Sequence, residues 1–139
     1  MWVLYAFGSA LFAGITAVLA KIGIKGVNSH LATALRTVVV AVFAWLMVLI
    51  VGSGGTIGDI RAGSWFFLVL SGLATGASWI CYFRALQLGS VSKVAPIDKS
   101  STVLTMLLAF LLLRERISLN MLLGMGLILG GTLLMLQRQ

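Results

Sequence analysis

Five apolar runs dominate this sequence, and each is about as long as a helix that crosses a bilayer. They cover residues 2–20, 30–51, 64–88, 94–113 and 120–136. About twenty residues are needed to span the hydrocarbon core, because an α-helix rises by only ~1.5 Å per residue. Only 9% of the 139 residues are charged, against about 25% in a soluble domain. The runs predict an all-α integral membrane protein, a single domain over residues 1–139 with five helices in one bundle and the lipid bilayer as solvent.

The fourth run carries an acid and a base side by side, Asp98 and Lys99, close to its start. Ser101 and Thr105 follow at positions that share a helical face with Asp98. Lipid cannot satisfy such a polar face, so the face predicts contact with other helices or a water-filled path. Asp98 is the only acid inside a predicted span, which makes it the candidate for proton or ion coupling. The alternative is that it follows Pro96 in the first turn, where the helix dipole favours an acid.

The third run has a polar face of its own. Ser78 and Tyr82 are four residues apart and therefore lie on one side of a helix. We expect them to line one shared space with the polar face of the fourth run. Gly72 and Gly76 form a GxxxG pair, which is typical of closely packed membrane helices. Ser92 is expected to cap the fourth helix.

Basic side chains approach the same predicted membrane face from three helices. Arg36 lies two turns inside the second run, where it either extends back to the interface or faces a cavity. Together with Arg84, Asp98 and Lys99 it forms a candidate constellation, and the excess of cations suggests an anionic solute. The predicted substrate pathway consists of Arg36, Ser78, Tyr82, Arg84, Asp98, Lys99, Ser101 and Thr105.

Several classes of function are disfavoured by composition. The single cysteine, Cys81, rules out an internal disulfide and a Cys-based zinc site. Three acids and one histidine, far apart in sequence, offer no acid–base pair or activated nucleophile, so we expect no enzyme, cofactor or metal site. No clustered basic face indicates nucleic-acid binding. The glycine-rich stretch 52–63 lacks the Lys and Ser or Thr of a phosphate-binding loop and is expected to be a flexible loop.

Basic residues also predict the orientation in the membrane. An odd number of spans places the termini on opposite sides. The side of the amino end holds three basic residues and the other side holds five. The first set is Arg61, Arg114 and Arg116, and the second is Lys21, Lys25, Arg84, Lys93 and Arg138. Because basic residues favour the cytoplasmic side, we expect a multi-pass protein of the cell (inner) membrane with its amino end outside and its carboxyl end inside.

Two stretches resemble a known family. Residues 82–97, YFRALQLGSVSKVAPI, and 111–134, LLLRERISLNMLLGMGLILGGTLL, are similar to the EamA domain of the drug/metabolite transporter superfamily. The features that carry the resemblance are Tyr82, Ala85, Leu86, Gly89, Glu115 and Gly124 with Gly130 or Gly131. Arg36 also fits, and the likeness covers essentially the whole chain.

The resemblance implies a transporter of a small polar or amphipathic solute. The family commonly has ten helices arranged as two inverted five-helix repeats, so this chain resembles one half, the half with its amino end outside. Two positions depart from the family pattern. Thr102 stands where a proline is usual, which argues against a kink in the fourth helix, and Arg114 stands where a glycine is usual.

One repeat supplies half of a two-sided pathway, so we expect a homodimer, with antiparallel packing possible and the pathway between or within the helix bundles. The small-residue faces at 124–131 or 9–17 are the expected contacts. The alternative is a non-transporting membrane subunit that scaffolds or regulates a partner. In that case the polar faces would be occupied by helix contacts, with no cavity.

Overall fold

The structure, a computed structural model, describes residues 1–137. Within them the chain forms six α-helices, one 3-10 helix and no strand. The helices are α1 (Trp2–Gly23), α2 (Ser29–Val51), α3 (Ala62–Leu88), α4 (Val91–Lys99), α5 (Ser101–Leu113) and α6 (Leu119–Gln137). With α4 and α5 counted as one segment, five segments of the described chain are long and apolar enough to cross a membrane. The predicted all-α class is confirmed.

The chain divides into two compact units. One, here called the α2–α3 unit, consists of Leu19–Gln87. The other, the α4–α6 unit, combines Met1–Val18 with the described residues from Leu88 onward. Helix α1 therefore contributes its first part to one unit and its last turn to the other.

Both ends of α2 are fixed by local sequence. The Asn28 side-chain oxygen accepts a hydrogen bond from the His30 amide at 2.9 Å, which satisfies a donor that the first turn would leave unpaired. Gly52 ends the helix with a φ of 71°, a left-handed conformation that glycine adopts without steric cost. Near the start of α2, the Thr33 hydroxyl donates to the Ser29 carbonyl oxygen at 2.8 Å, so a buried polar side chain is satisfied within its own helix.

The glycine-rich stretch after α2 is more regular than expected. Ser53–Asp59 forms a 3-10 helix, and the Thr56 hydroxyl donates to the Ser53 carbonyl oxygen at 2.8 Å. The prediction of a flexible loop is wrong here, because a short side-chain hydrogen bond and turn-forming residues stabilise a tight helical turn.

The fourth span begins earlier than the sequence predicted. Its first helix, α4, starts at Val91, and Ser90 rather than Ser92 occupies the N-cap position, without a side-chain hydrogen bond. Helical bonding is established before the proline, since the Val94 amide donates to the Ser90 carbonyl oxygen at 3.0 Å. Asp98 consequently lies in the last turn of α4 rather than a first turn. The alternative that it interacts with the positive end of a helix dipole is wrong for this helix.

The fourth span is also interrupted, although Thr102 replaces the family's usual proline. Ser100 separates α4 from α5, and its hydroxyl donates to the Ile97 carbonyl oxygen at 2.6 Å. Its amide lies 3.0 Å from the same oxygen, and the Val103 amide donates to the Ser100 carbonyl at 3.0 Å. These are i to i−3 contacts, so the backbone tightens locally, although the Ser100 amide also lies 3.2 Å from the Pro96 carbonyl oxygen. The fourth span, predicted as one continuous helix, is therefore interrupted at a serine two residues before Thr102.

Helix α6 packs against α4 and α5 within the α4–α6 unit. Met125 of α6 and Val103 of α5 are buried. The Thr132 hydroxyl lies 2.8 Å from the Ile128 carbonyl oxygen of its own helix and 3.4 Å from the Pro96 carbonyl oxygen of α4. Because a hydroxyl has one hydrogen, it donates to the nearer oxygen, and the longer distance shows that α6 lies close to α4 at this point.

Candidate functional site

Asp98 and Lys99 form the one ion pair found within residues 1–137. Their side-chain atoms Oδ2 and Nζ are 3.9 Å apart, and the side chains are 39% and 64% exposed, respectively. A pair this open leaves most carboxylate lone pairs without a partner inside the unit. Since the pair lies within a membrane-length segment, contact with lipid alone would leave it unsatisfied.

Ser101 and Thr105 lie on α5 immediately after the tightened backbone, and both are exposed. The Thr105 hydroxyl donates to the Ser101 carbonyl oxygen at 3.0 Å. On α3 the Thr75 hydroxyl does the same with Ser71 at 2.9 Å. These hydroxyl hydrogens are satisfied without water, so the two threonines present acceptor lone pairs rather than donors. The free-energy cost of placing such a polar face in lipid is therefore lower than the sequence alone suggested.

The polar residues of α3 lie in the other unit. Ser78 is exposed and Tyr82 half-buried, with the Tyr82 ring edge-on to Phe83 at a centroid distance of 6.3 Å. They belong to the α2–α3 unit, whereas Ser101 and Thr105 belong to the α4–α6 unit. The predicted shared space stays a prediction, and so does the constellation of Arg36 and Arg84 with Asp98 and Lys99.

Arg36 turns toward α3. Its guanidinium carbon lies 4.5 Å from the centroid of the Trp79 ring and 5.5 Å from that of Phe83. Phe83 is buried and Trp79 half-buried. A cation over an aromatic face gains roughly 0.5–2 kcal/mol, more as water is removed. The Arg36 side chain thus packs on an aromatic surface of the protein. The sequence had offered two other positions for it, extension to the membrane interface and exposure to a cavity.

A group of polar side chains ties the end of α3 to the connection between α1 and α2. Gln87 Nε2 donates to the Val27 carbonyl oxygen at 2.6 Å, and Arg84 Nη1 donates to Gln87 Oε1 at 3.1 Å. Lys21 Nζ donates to the Leu86 carbonyl oxygen, one of the last carbonyls of α3. A cation there also interacts favourably with the negative end of that helix. Arg84 therefore acts here through Gln87.

Sequence reasoning missed Trp79, Gln87 and Lys21. A signal for the first two existed, because Trp79, Phe83 and Gln87 recur every four residues and so form one face of α3. The prediction had been based on the hydroxyl-bearing face beside it. Lys21 carried no such signal, since its partner is a backbone carbonyl, which every helix end offers.

Within the part of the chain that the structure describes, no group of three or more His, Cys, Asp and Glu side chains could hold a metal ion. The polar groups that are present can exchange protons, accept hydrogen bonds and attract anions.

Five membrane-length helical segments, with ionisable side chains inside them, define a multi-pass membrane protein. The chain matches the EamA-like transporter family over residues 1–137, and it belongs to that family. It is 45% identical over 134 residues to a protein from Sinorhizobium sp named "Uncharacterized transporter in cobO 3'region", with 96% of this chain and 95% of that protein covered. No solved structure matches.

Proposed function

We propose that this protein transports a small polar or amphipathic solute across the membrane. Family membership over nearly the whole chain and the name of the Sinorhizobium relative support transport as the class of function. The observation that carries the proposal for this chain is the tightened backbone at Ser100 next to the Asp98–Lys99 pair. Irregular backbone at membrane depth is tolerated where it is buried in protein or lines a water-filled cavity, and transporters place interrupted helices at their binding sites.

Each candidate residue has a stated part in this proposal. Asp98 binds the coupling proton or ion, because it is the one acid within a span and is only partly covered. Ser101 and Thr105 continue the pathway along α5. Ser78 and Tyr82 on α3 extend the polar lining of the pathway. The cations Arg36, Arg84 and Lys99 favour an anionic solute.

The proposed working unit is a homodimer with the pathway between or within its helix bundles. A five-helix repeat supplies half of an inverted pair. On α6, Gly126 and Gly130 are exposed, and a Cβ atom placed at either would meet no other atom within 4 Å. That surface is open to the close approach of a second helix. The strip at 9–17 is partly covered already, since Ala17 is 8% exposed, so the α6 surface is the better supported contact.

We place the protein in the cell (inner) membrane with its amino end outside and its carboxyl end inside. The support is the excess of basic residues on the side of the α1–α2 connection. Arg138, which belongs to that count, lies outside the described residues. A tag at the carboxyl end, probed in intact cells, tests the orientation. Accessibility of the tag only from inside supports a parallel dimer, and accessibility from both sides supports the antiparallel arrangement.

The experiment that tests transport is a flux screen in proteoliposomes, with and without a proton gradient. Uptake of at least one polar or amphipathic solute above that of empty liposomes supports the proposal. An absence of flux for every solute class, with correctly folded and inserted protein, contradicts it and favours the scaffolding subunit. We propose no enzymatic reaction for this chain.

A further inference from the structure

The cations of the α2–α3 unit are concentrated at one end. The unit has five basic residues and one acid. Four of the basic residues lie where α1 ends, α2 begins and α3 ends: Lys21, Lys25, Arg36 and Arg84. The acid, Asp59, closes the 3-10 helix beyond the far end of α2. About 22 Å of helix separates Arg36 from Val51, at ~1.5 Å per residue, so no carboxylate of this unit reaches the cationic end.

Two of these cations donate hydrogen bonds to neutral acceptors. Lys21 donates to a backbone carbonyl and Arg84 to the amide oxygen of Gln87. Arg36 has only ring contacts within residues 1–137, with Trp79 and Phe83. An aromatic ring offers no oxygen acceptor, so the five N–H donors of the guanidinium remain available to a ligand. The α2–α3 unit thus supplies no carboxylate to this end, and the guanidinium of Arg36 attracts negative charge.

Arg36 is the member of this group placed to bind an anion directly. It lies about two turns inside α2, where an unpaired charge is costly. The ring contacts compensate only part of that cost. A guanidinium held on an aromatic surface is suited to bidentate binding of a carboxylate or phosphate. Trp79 and Phe83 beside it offer apolar surface to the rest of an amphipathic molecule.

We propose that Arg36, supported by Trp79 and Phe83, binds an oxyanion, a carboxylate or a phosphate group. This inference rests on the proposed function when the oxyanion belongs to the transported solute. The same chemistry is present in the phosphate of an anionic lipid headgroup, and the experiment separates the two sources.

Trp79 itself supplies the measurement. Replacing Trp2, Trp45 and Trp65 by Phe leaves it as the single tryptophan, and these three are exposed. The protein, reconstituted in dioleoylphosphatidylcholine vesicles, is titrated with benzoate and, separately, with the neutral isostere benzamide. Benzoate should change Trp79 emission saturably, and benzamide should not. In Arg36→Gln the apparent Kd for benzoate should rise about tenfold or more. Arg61→Gln, which removes an exposed cation at the other end of the unit, should leave it unchanged.

Equal responses to benzoate and benzamide, or an unchanged Kd in Arg36→Gln, would overturn the proposal. If Arg36→Gln fails to fold, the test uses the parent protein alone. The proposal then requires a response to benzoate but not to benzamide, and a benzoate response that weakens as salt is added.

A second set of vesicles contains dioleoylphosphatidylglycerol and no benzoate. An emission change there that depends on Arg36 identifies the lipid headgroup as a source of the oxyanion, and a benzoate response identifies the solute. Absence of both overturns the proposal. Because binding is measured at equilibrium, it holds or fails independently of any flux result.

Discussion

The guanidinium carbon of Arg36 lies 4.5 Å from the centre of the Trp79 ring, so a charge inside the second span is supported by an aromatic face of the third. This contact joins α2 to α3 near the end where Gln87 and Lys21 fix the α1–α2 connection. The end of the α2–α3 unit that carries most of its positive charge is therefore also the end held together by specific side-chain contacts.

A double-mutant cycle measures the contact between Arg36 and Trp79. Arg36→Met, Trp79→Leu and the double variant should show a coupling free energy of about 0.5–2 kcal/mol in unfolding by SDS in mixed micelles. The control pairs Arg36→Met with Trp65→Leu, since Trp65 is an exposed residue near the other end of α3. A coupling of zero for the first pair would mean that the ring does not support the charge.

Gln87 should hold the α1–α2 connection in place. In Gln87→Leu the Val27 carbonyl loses its side-chain donor, which costs about 1–3 kcal/mol where the oxygen is shielded from water. Hydrogen exchange measured by mass spectrometry should become faster for peptides covering residues 22–30. Gln137→Leu, at the exposed end of α6, is the matched control. Unchanged exchange in Gln87→Leu would show that the connection is held by other contacts.

The polar face of α5 should be accessible to water. Single cysteines at Ser101, Thr105 and Ser78, in a background lacking Cys81, should react faster with a water-soluble maleimide than a cysteine at Leu107. Leu107 is exposed in the structure and lies at nearly the depth of Thr105 but on another side of the helix. Equal rates at Thr105 and Leu107 would contradict a water-filled pathway along this face.

Arg114 should be replaceable by glycine with a gain in stability. It ends α5 with a φ of 56°, a left-handed conformation that costs a residue with a side chain about 1–2 kcal/mol. Arg114→Gly should therefore raise the free energy of unfolding by about 1 kcal/mol. Arg116→Gly, close by in the same connection, should not. A loss of stability in Arg114→Gly would mean that the arginine side chain makes a compensating contact.

Much of the fold followed from length and hydropathy, because a bilayer allows few solutions for an apolar run of about twenty residues. The predictions that were wrong concern features that depend on short-range hydrogen bonds. The start of α4 moved from Val94 to Val91, which places Pro96 inside the helix at the cost of one backbone hydrogen bond. The interruption at Ser100 depends on a hydroxyl bonding to Ile97, an option open to every serine in a helix and therefore invisible in sequence.

The sequence predicted which residues belong to the candidate site better than it predicted which groups they contact. Arg36 stood out because an arginine inside an apolar run is rare, yet its contact with Trp79 depends on how α2 and α3 face each other. Asp98 stood out as the only acid within a span. Its half-buried position at the end of α4 depends on where that helix begins, which the sequence pattern placed three residues too late.

The most direct test of transport through the fourth span compares the unmodified protein with Asp98→Asn and Asp59→Asn in the same proteoliposome flux assay, at equal amounts of folded, inserted protein. Asp59 ends the 3-10 helix and is the matched acid outside the spans. The account predicts gradient-driven uptake by the unmodified protein and by Asp59→Asn, and loss of that uptake in Asp98→Asn. Full gradient-driven uptake in Asp98→Asn would contradict it.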